Sequence, residues 1–198
     1  MPFSYFDRLS PARKRTYERS DAIETLPLPP GDDLASRAAA IAAGLERDRR
    51  IEVERACQRL LDALTGRFGV PPLEARVYAV RPSGDWGELH GMYRPQEEDE
   101  RAVVELWMRT ARQRKVVAPR TFLRTLVHEL CHHLDYELFA LPETFHTEGF
   151  YKRESHLLNQ LAGPPAPRAG RAGDGTSPAP TAPTTETGTR GASAQSSS

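Results

Sequence analysis

The sequence predicts an α+β fold in which helices flank a small three-stranded sheet. Three observations predict it. An apolar period of 3.6 residues runs from Leu34 to Phe68, short β-rich runs lie between Ala75 and Met108, and the helical period returns from Pro119 to Leu161. The 198 residues suit one domain of ordinary size carrying tails.

The first 33 residues hold Pro2, Pro11, Pro27, Pro29 and Pro30, which forbid one long helix. Phe3, Tyr5, Phe6 and Leu9 supply enough apolar surface to dock this arm on a neighbouring core. The basic run Arg13-Lys14-Arg15 has Asp7, Glu18, Asp21 and Glu24 close by and reads as solvated. The domain proper is expected at residues 34–162. Its first helical stretch buries Leu34, Ala38, Ile41 and Leu45, then Val53, Cys57, Leu60, Leu64 and Phe68. Gly44 and the charged Glu46–Arg50 between the two stripes break it or shift its face, and Gly66, Gly69 and Pro71-Pro72 end it.

The alternation of Ala75, Val77 and Ala79 gives one strand, and Pro82-Ser83-Gly84-Asp85 gives a turn. Glu88–Arg94 is a second strand, Gln96–Glu100 an acidic loop, and Ala102–Met108 (AVVELWM) the strongest strand of the three. A basic connector with Arg109, Arg112, Arg114, Lys115 and Arg120 follows. It offers weak support for a nucleic-acid partner, and a solvated loop is the simpler reading. Pro119 suits a first helical position, and Leu123, Val127, Leu130, Leu134 and Leu138 form a stripe behind it. A last helix is expected from about Thr147 to Leu161. Residues 163–198 follow, where thirty of 36 are Ala, Gly, Pro, Ser or Thr, a composition that predicts disorder.

Charge and cysteine content exclude several classes. Lys and Arg number 27 against 27 Asp and Glu, and residues 34–162 alone hold 19 of each sign, so the bulk field attracts neither polyanions nor polycations. No apolar run approaches the roughly 18–20 residues that span a bilayer. The start MPFSYFDRLSPARKR lacks the apolar stretch of a secretory signal, so the expectation is a cytoplasmic protein with no membrane partner. Cys57 and Cys131 cannot build a disulfide framework or a four-cysteine zinc ribbon, and each reads as a small core residue.

Five of the six histidines fall between His128 and His156. His128-Glu129-Leu130-Cys131-His132 is an H-E-x-x-H motif, which arises by chance in roughly 1–2% of sequences of this composition. On a helix, positions i and i+4 lie on one face, so the two imidazoles converge on one metal ion. Glu129 is rotated about 100° from His128 and reaches a water on that metal rather than the metal itself. A catalytic zinc needs a third protein ligand. Glu137, Glu143, His146, Glu148, Glu154 and His156 lie downstream. In the last helix Phe150, Glu154, Leu157 and Leu161 share one face, while His156 and Glu148 fall on polar faces. His146, one turn before Phe150, is the favoured ligand and Glu154 the alternative.

HELCHHLDY, a connector, then HTEGFYKRESHLL resembles the metalloprotease core of the SprT-like family of small zincins, over about residues 70–161. The resemblance implies a zincin-like metalloprotease core with zinc as cofactor, His128, His132 and His146 as metal ligands, and Glu129 as catalytic general base. It also implies a polypeptide substrate held along a sheet strand, for which Ala102–Met108 is the expected counterpart. Relatives often place glycine directly after the third histidine, whereas Thr147 and Glu148 precede Gly149 here. Around the motif, His133 reads as an exposed or satisfied neighbour. Asp135 is either an acceptor for the second N–H of His132 or a surface acid. Tyr151 and Arg153 are candidates to stabilise an oxyanion, and equally ordinary helix-surface residues. The expected activity is therefore zinc-dependent peptide hydrolysis; the alternative is a zinc-binding interaction or regulatory module without turnover.

Overall fold

The computed structural model describes Phe3 and residues 5–31, 33–85, 87–97 and 100–163. The segment expected to be disordered lies outside the described residues from 164 onward. The fold is mixed α+β, with helices and one three-stranded sheet, as the alternating periods predict.

A short 3-10 turn, Phe6–Arg8, leads into α1 (Pro11–Asp21). Ser10 caps α1 by accepting the Arg13 N–H, and Pro11 takes the first turn, where its missing N–H costs nothing. The arm is docked: Tyr17, Thr16, Ser20 and Leu26 are buried. The long apolar period then divides into α2 (Leu34–Glu46) and α3 (Arg50–Phe68). The break falls in the charged stretch, where Asp48 adopts φ 55°. Gly44 lets the two helices meet, since a Cβ there would stand 3.0 Å from Val53 Cγ2. α3 closes at Gly69, whose φ of 67° is the left-handed geometry that glycine adopts without strain.

The sheet has the order β1 (Glu74–Val80), β5 (Val103–Arg109), β4 (Gly91–Arg94). β1 runs parallel to β5 and β4 antiparallel to it, with Val77 and Gly91 both opposite Leu106. The expected turn at 82–85 is part of a separate two-stranded hairpin, β2 (Ser83–Gly84) with β3 (Gly87–Glu88). The expected strand Glu88–Arg94 is therefore two pieces, β3 and β4, separated at Leu89-His90. A second correction concerns β5. Ala102–Met108 was the expected substrate-facing strand, but β5 is central and buried on both faces. Val104, Leu106 and Met108 face the helices, while Trp107 on the other face stacks on Tyr78 with ring centres 5.7 Å apart. The near-continuous apolar run of this strand is what burial on both faces requires. The sheet edges are β1 and β4.

Two helices complete the unit, α4 (Pro119–Glu137) and α5 (Glu148–Ala162). α4 lies between α5, α2 and the sheet, and its Phe122, Leu126, Val127, Leu130 and Leu134 belong to the same core as α3 and β5. Cys57 and Cys131 are fully buried in that core, and burial pushes both thiols up in pKa. Among the described residues no helix is long and apolar enough to cross a membrane.

Candidate metal centre

The site begins with the two faces of α4. Val127, Leu130 and Leu134 hold one face in the core, which fixes the rotation of the helix and turns His128 and His132 toward α5. Thr147 starts α5 by accepting the Phe150 N–H at 3.0 Å, so His146 is held in the last residues of the connector, just before the helix. The buried Phe150 ring floors all three imidazoles, with ring centres 5.0, 4.8 and 5.2 Å from His128, His132 and His146.

Their Nε2 atoms converge. The separations are 3.2 Å between His128 and His132, and 3.0 Å from His146 to each. This is the histidine group among the described residues that could hold a metal ion. A triangle of that size has a circumradius of about 1.8 Å, shorter than a metal–imidazole bond of about 2.0–2.1 Å. Three nitrogens this close together could all bind the same metal ion.

The other ring nitrogens of His128 and His132 have partners of their own. His128 Nδ1 lies 2.9 Å from Glu154 Oε2, and a carboxylate only accepts, so the proton is on Nδ1. Thr144 donates its hydroxyl to Asp135 Oδ2 at 2.7 Å and is left to accept from His132 Nδ1 at 2.8 Å. Both assignments follow from the partners. Each leaves an Nε2 lone pair pointing at another, an arrangement that a bound cation relieves. Burial and the neighbouring His128 and His146 push His132 down to about 3, and burial also lowers His146, so these rings resist protonation.

Glu129 faces the cleft from the same helix. It is buried, and loss of solvation raises its carboxyl to about 7, against the opposing pull of His128 and of the Tyr93 amide. β4 comes this close because residue 91 is glycine: a Cβ there would stand 2.5 Å from Glu129 Oε1. The cleft has a volume of about 500 Å³ and is bounded by Glu88, His90, Arg124 and Tyr151 beside His128 and Glu129.

The structure thus brings His128, Glu129, His132 and His146 together and corrects several neighbours. Glu154, the alternative third ligand, is buried behind His128 and pairs with Arg124 Nη1 at 2.6 Å, outside the converging nitrogens. Asp135 does not accept from His132 directly; Thr144 stands between them. Nor is Asp135 a surface acid. It is fully buried against Arg153 at 2.6 Å, burial raising its carboxyl and Arg153 opposing that rise. Arg153 cannot reach an oxyanion in the cleft, because it is itself fully buried with Asp135, Ser20 and Ile23 as partners. Tyr151 keeps its exposure, its ring 5.9 Å from that of His146. His133 is a satisfied core residue between Tyr93 OH at 3.1 Å and the Pro71 carbonyl at 2.9 Å. Glu143 pairs with Arg13, and His156 accepts the Leu26 N–H at 2.9 Å. In the basic connector Arg109 pairs with Asp48, and Arg120 donates to the Gly163 carbonyl at 2.8 Å. Sequence reasoning missed Thr144 and Gly91. An isolated glycine in a strand signals close backbone approach, and that signal was present. For Thr144 no pattern existed, since it lies in the connector and its partners His132 and Asp135 are on α4.

Comparison of the chain with protein-family models, with curated proteins and with solved structures finds no match.

Proposed function

We propose that this chain is a zinc-dependent metallopeptidase with a zincin-like core of the SprT-like kind. The observation that carries the reading is the set of Nε2 atoms converging at 3.0–3.2 Å beside the buried Glu129 carboxyl on α4. Three histidine nitrogens on one point suit a catalytic zinc, which takes three protein ligands. When bound, zinc supplies Lewis acidity and brings the pKa of a water toward ~7.

The protein's own residues do the rest. Glu129, buried on α4 beside the converging nitrogens, would take a proton from water and return it to the leaving amine. Glu154 and the Thr144–Asp135 pair hold His128 and His132 in the tautomer that leaves Nε2 free. Tyr151, exposed and lining the cleft, would be the side chain to stabilise charge developing on the scissile carbonyl. β4 replaces β5 as the strand beside the substrate: it is a sheet edge, and Gly91 touches the space of Glu129.

Glu129→Gln tests the reading. The variant should bind zinc as the wild type does and lose its cleavage products in a proteome-derived peptide library. Matching cleavage profiles for the two proteins would refute the mechanism, and stoichiometric zinc without any cleavage by wild type would favour a non-catalytic zinc module.

A further inference from the structure

The N-terminal arm runs along the two elements that carry or support ligands. Arg13 forms a two-pronged pair with Glu143, and its guanidinium lies over Phe145 at 5.5 Å from the ring centre. Tyr17 packs on the same ring at 5.8 Å, and Tyr5 donates its hydroxyl to the His146 carbonyl at 3.3 Å. The connector holding the third histidine is thus gripped from residue 143 to residue 146. At the start of α5, Asp21 Oδ1 accepts the Gly149 N–H at 2.8 Å, giving that helix a cap from outside its own sequence. The approach is so close that a Cβ on Gly149 would overlap the Asp21 carbonyl.

A second line of contact reaches His132. The Ser20 carbonyl and hydroxyl accept from Arg153 at 2.8 and 3.0 Å, and Arg153 donates to Asp135 at 2.6 Å. Asp135 accepts from Thr144, which accepts from His132 Nδ1. Every link in this chain is a hydrogen bond, and its members Ser20, Arg153 and Asp135 are fully buried.

We infer that residues 5–26 are a positioning clamp on the metal centre, so that docking of the arm and metal binding are thermodynamically linked. The inference rests on the metal-centre reading and adds to it that two ligands, His146 and His132, are oriented by a segment more than a hundred residues away in sequence. Linkage is reciprocal: a docked arm raises metal affinity, and bound metal holds the arm down by the same factor.

Two variants of the full chain test it without touching a ligand. Gly149→Ala displaces the Asp21 backbone while favouring α5 itself, because alanine is the better helix former. Tyr5→Phe with Arg13→Ala removes the exposed hydrogen bonds to His146 and Glu143 together with the Arg13 contact on Phe145. Zinc affinity is measured by chelator competition, the cobalt-substituted visible spectrum reports ligand geometry, and hydrogen exchange of residues 5–26 is followed with and without zinc. The expected result is at least about a tenfold weaker zinc affinity and an altered cobalt spectrum in either variant, with slower exchange in the zinc-loaded arm of wild type. Leu61→Ala, a buried truncation on α3, controls for general destabilisation and should keep wild-type zinc affinity. Zinc affinities unchanged in both variants, or arm exchange indifferent to zinc, overturn the clamp while leaving the metal centre standing. A wild type that binds no zinc removes the metal centre and the clamp together.

Discussion

Replacing Glu154 separates a ligand from a residue that orients one. The Glu154 carboxylate is 2% exposed and accepts from His128 Nδ1 at 2.9 Å and Arg124 Nη1 at 2.6 Å. Glu154→Gln keeps the shape but supplies one accepting oxygen where two were used. Its NH2 group then meets either the His128 N–H or the Arg124 N–H, donor against donor. Loss of such a partner weakens metal binding by about 10–100-fold, or about 1.4–2.7 kcal/mol. His146→Ala removes one of three nitrogens outright and should exceed that range. Competition against a chromophoric zinc chelator, with metal content measured on the purified proteins, ranks the two variants. If Glu154→Gln loses more zinc than His146→Ala, the carboxylate is the ligand and the converging imidazoles have been misread. Wild-type affinity in Glu154→Gln would show that the His128 hydrogen bond orients nothing.

Further expectations concern the shape and charge of the site. Gly91→Ala drives a Cβ to within 2.5 Å of Glu129 Oε1 and 2.6 Å of Thr125 Cγ2, so kcat/KM on a cleaved peptide should fall about a hundredfold with zinc content unchanged. Wild-type turnover would show that β4 yields without moving Glu129. Arg153→Met strands the buried Asp135 carboxylate and should cost about 3–5 kcal/mol in urea unfolding. A loss under about 1 kcal/mol would mean that Asp135 sheds its charge at no cost. With zinc chelated, Glu129 carries a pH signature. Its carboxyl rises from 4.5 to about 7 on folding, so between those values the folded chain binds more protons than the unfolded one, and stability is lost as pH rises through the window. The stability advantage of Glu129→Gln over wild type should therefore grow from pH 4.5 to 7 and level off above. The opposite shift of His132, down to about 3, is shared by both proteins and cancels in the difference. An advantage independent of pH would refute the buried-carboxyl account.

Much of the fold was legible because it is written in local periods. The stripes Leu34–Leu45 and Val53–Leu64 give α2 and α3, and the AVVELWM run gives β5. The spacing of His128 and His132 and the phase of Phe150 and Glu154 likewise placed four groups on facing helix surfaces. Phase fixes the direction of a side chain and not how far it reaches, so Glu154 could be placed toward His128 but not identified as its hydrogen-bond partner. Sheet order was illegible for a related reason. A period of two identifies a strand and says nothing of which neighbour it pairs with, so the central place of β5 had to come from three dimensions. Arg153 and Asp135 illustrate the largest gap. Each looks like a solvated helix charge until the Ser20 backbone, 133 residues distant, covers one of them.

The two buried thiols give this protein an internal pair of clocks. Cys57 sits in α3 and Cys131 inside the H-E-x-x-H turn of α4, and neither is reachable by a labelling reagent in the folded state. Each can react only when its own surroundings open, so the two modification rates measure two opening free energies within one molecule. Equal rates mean that the ligand helix loosens only when the whole unit unfolds. A faster Cys131 means that α4 opens by itself, and the slowing of that rate by zinc then measures how tightly the ion locks the helix.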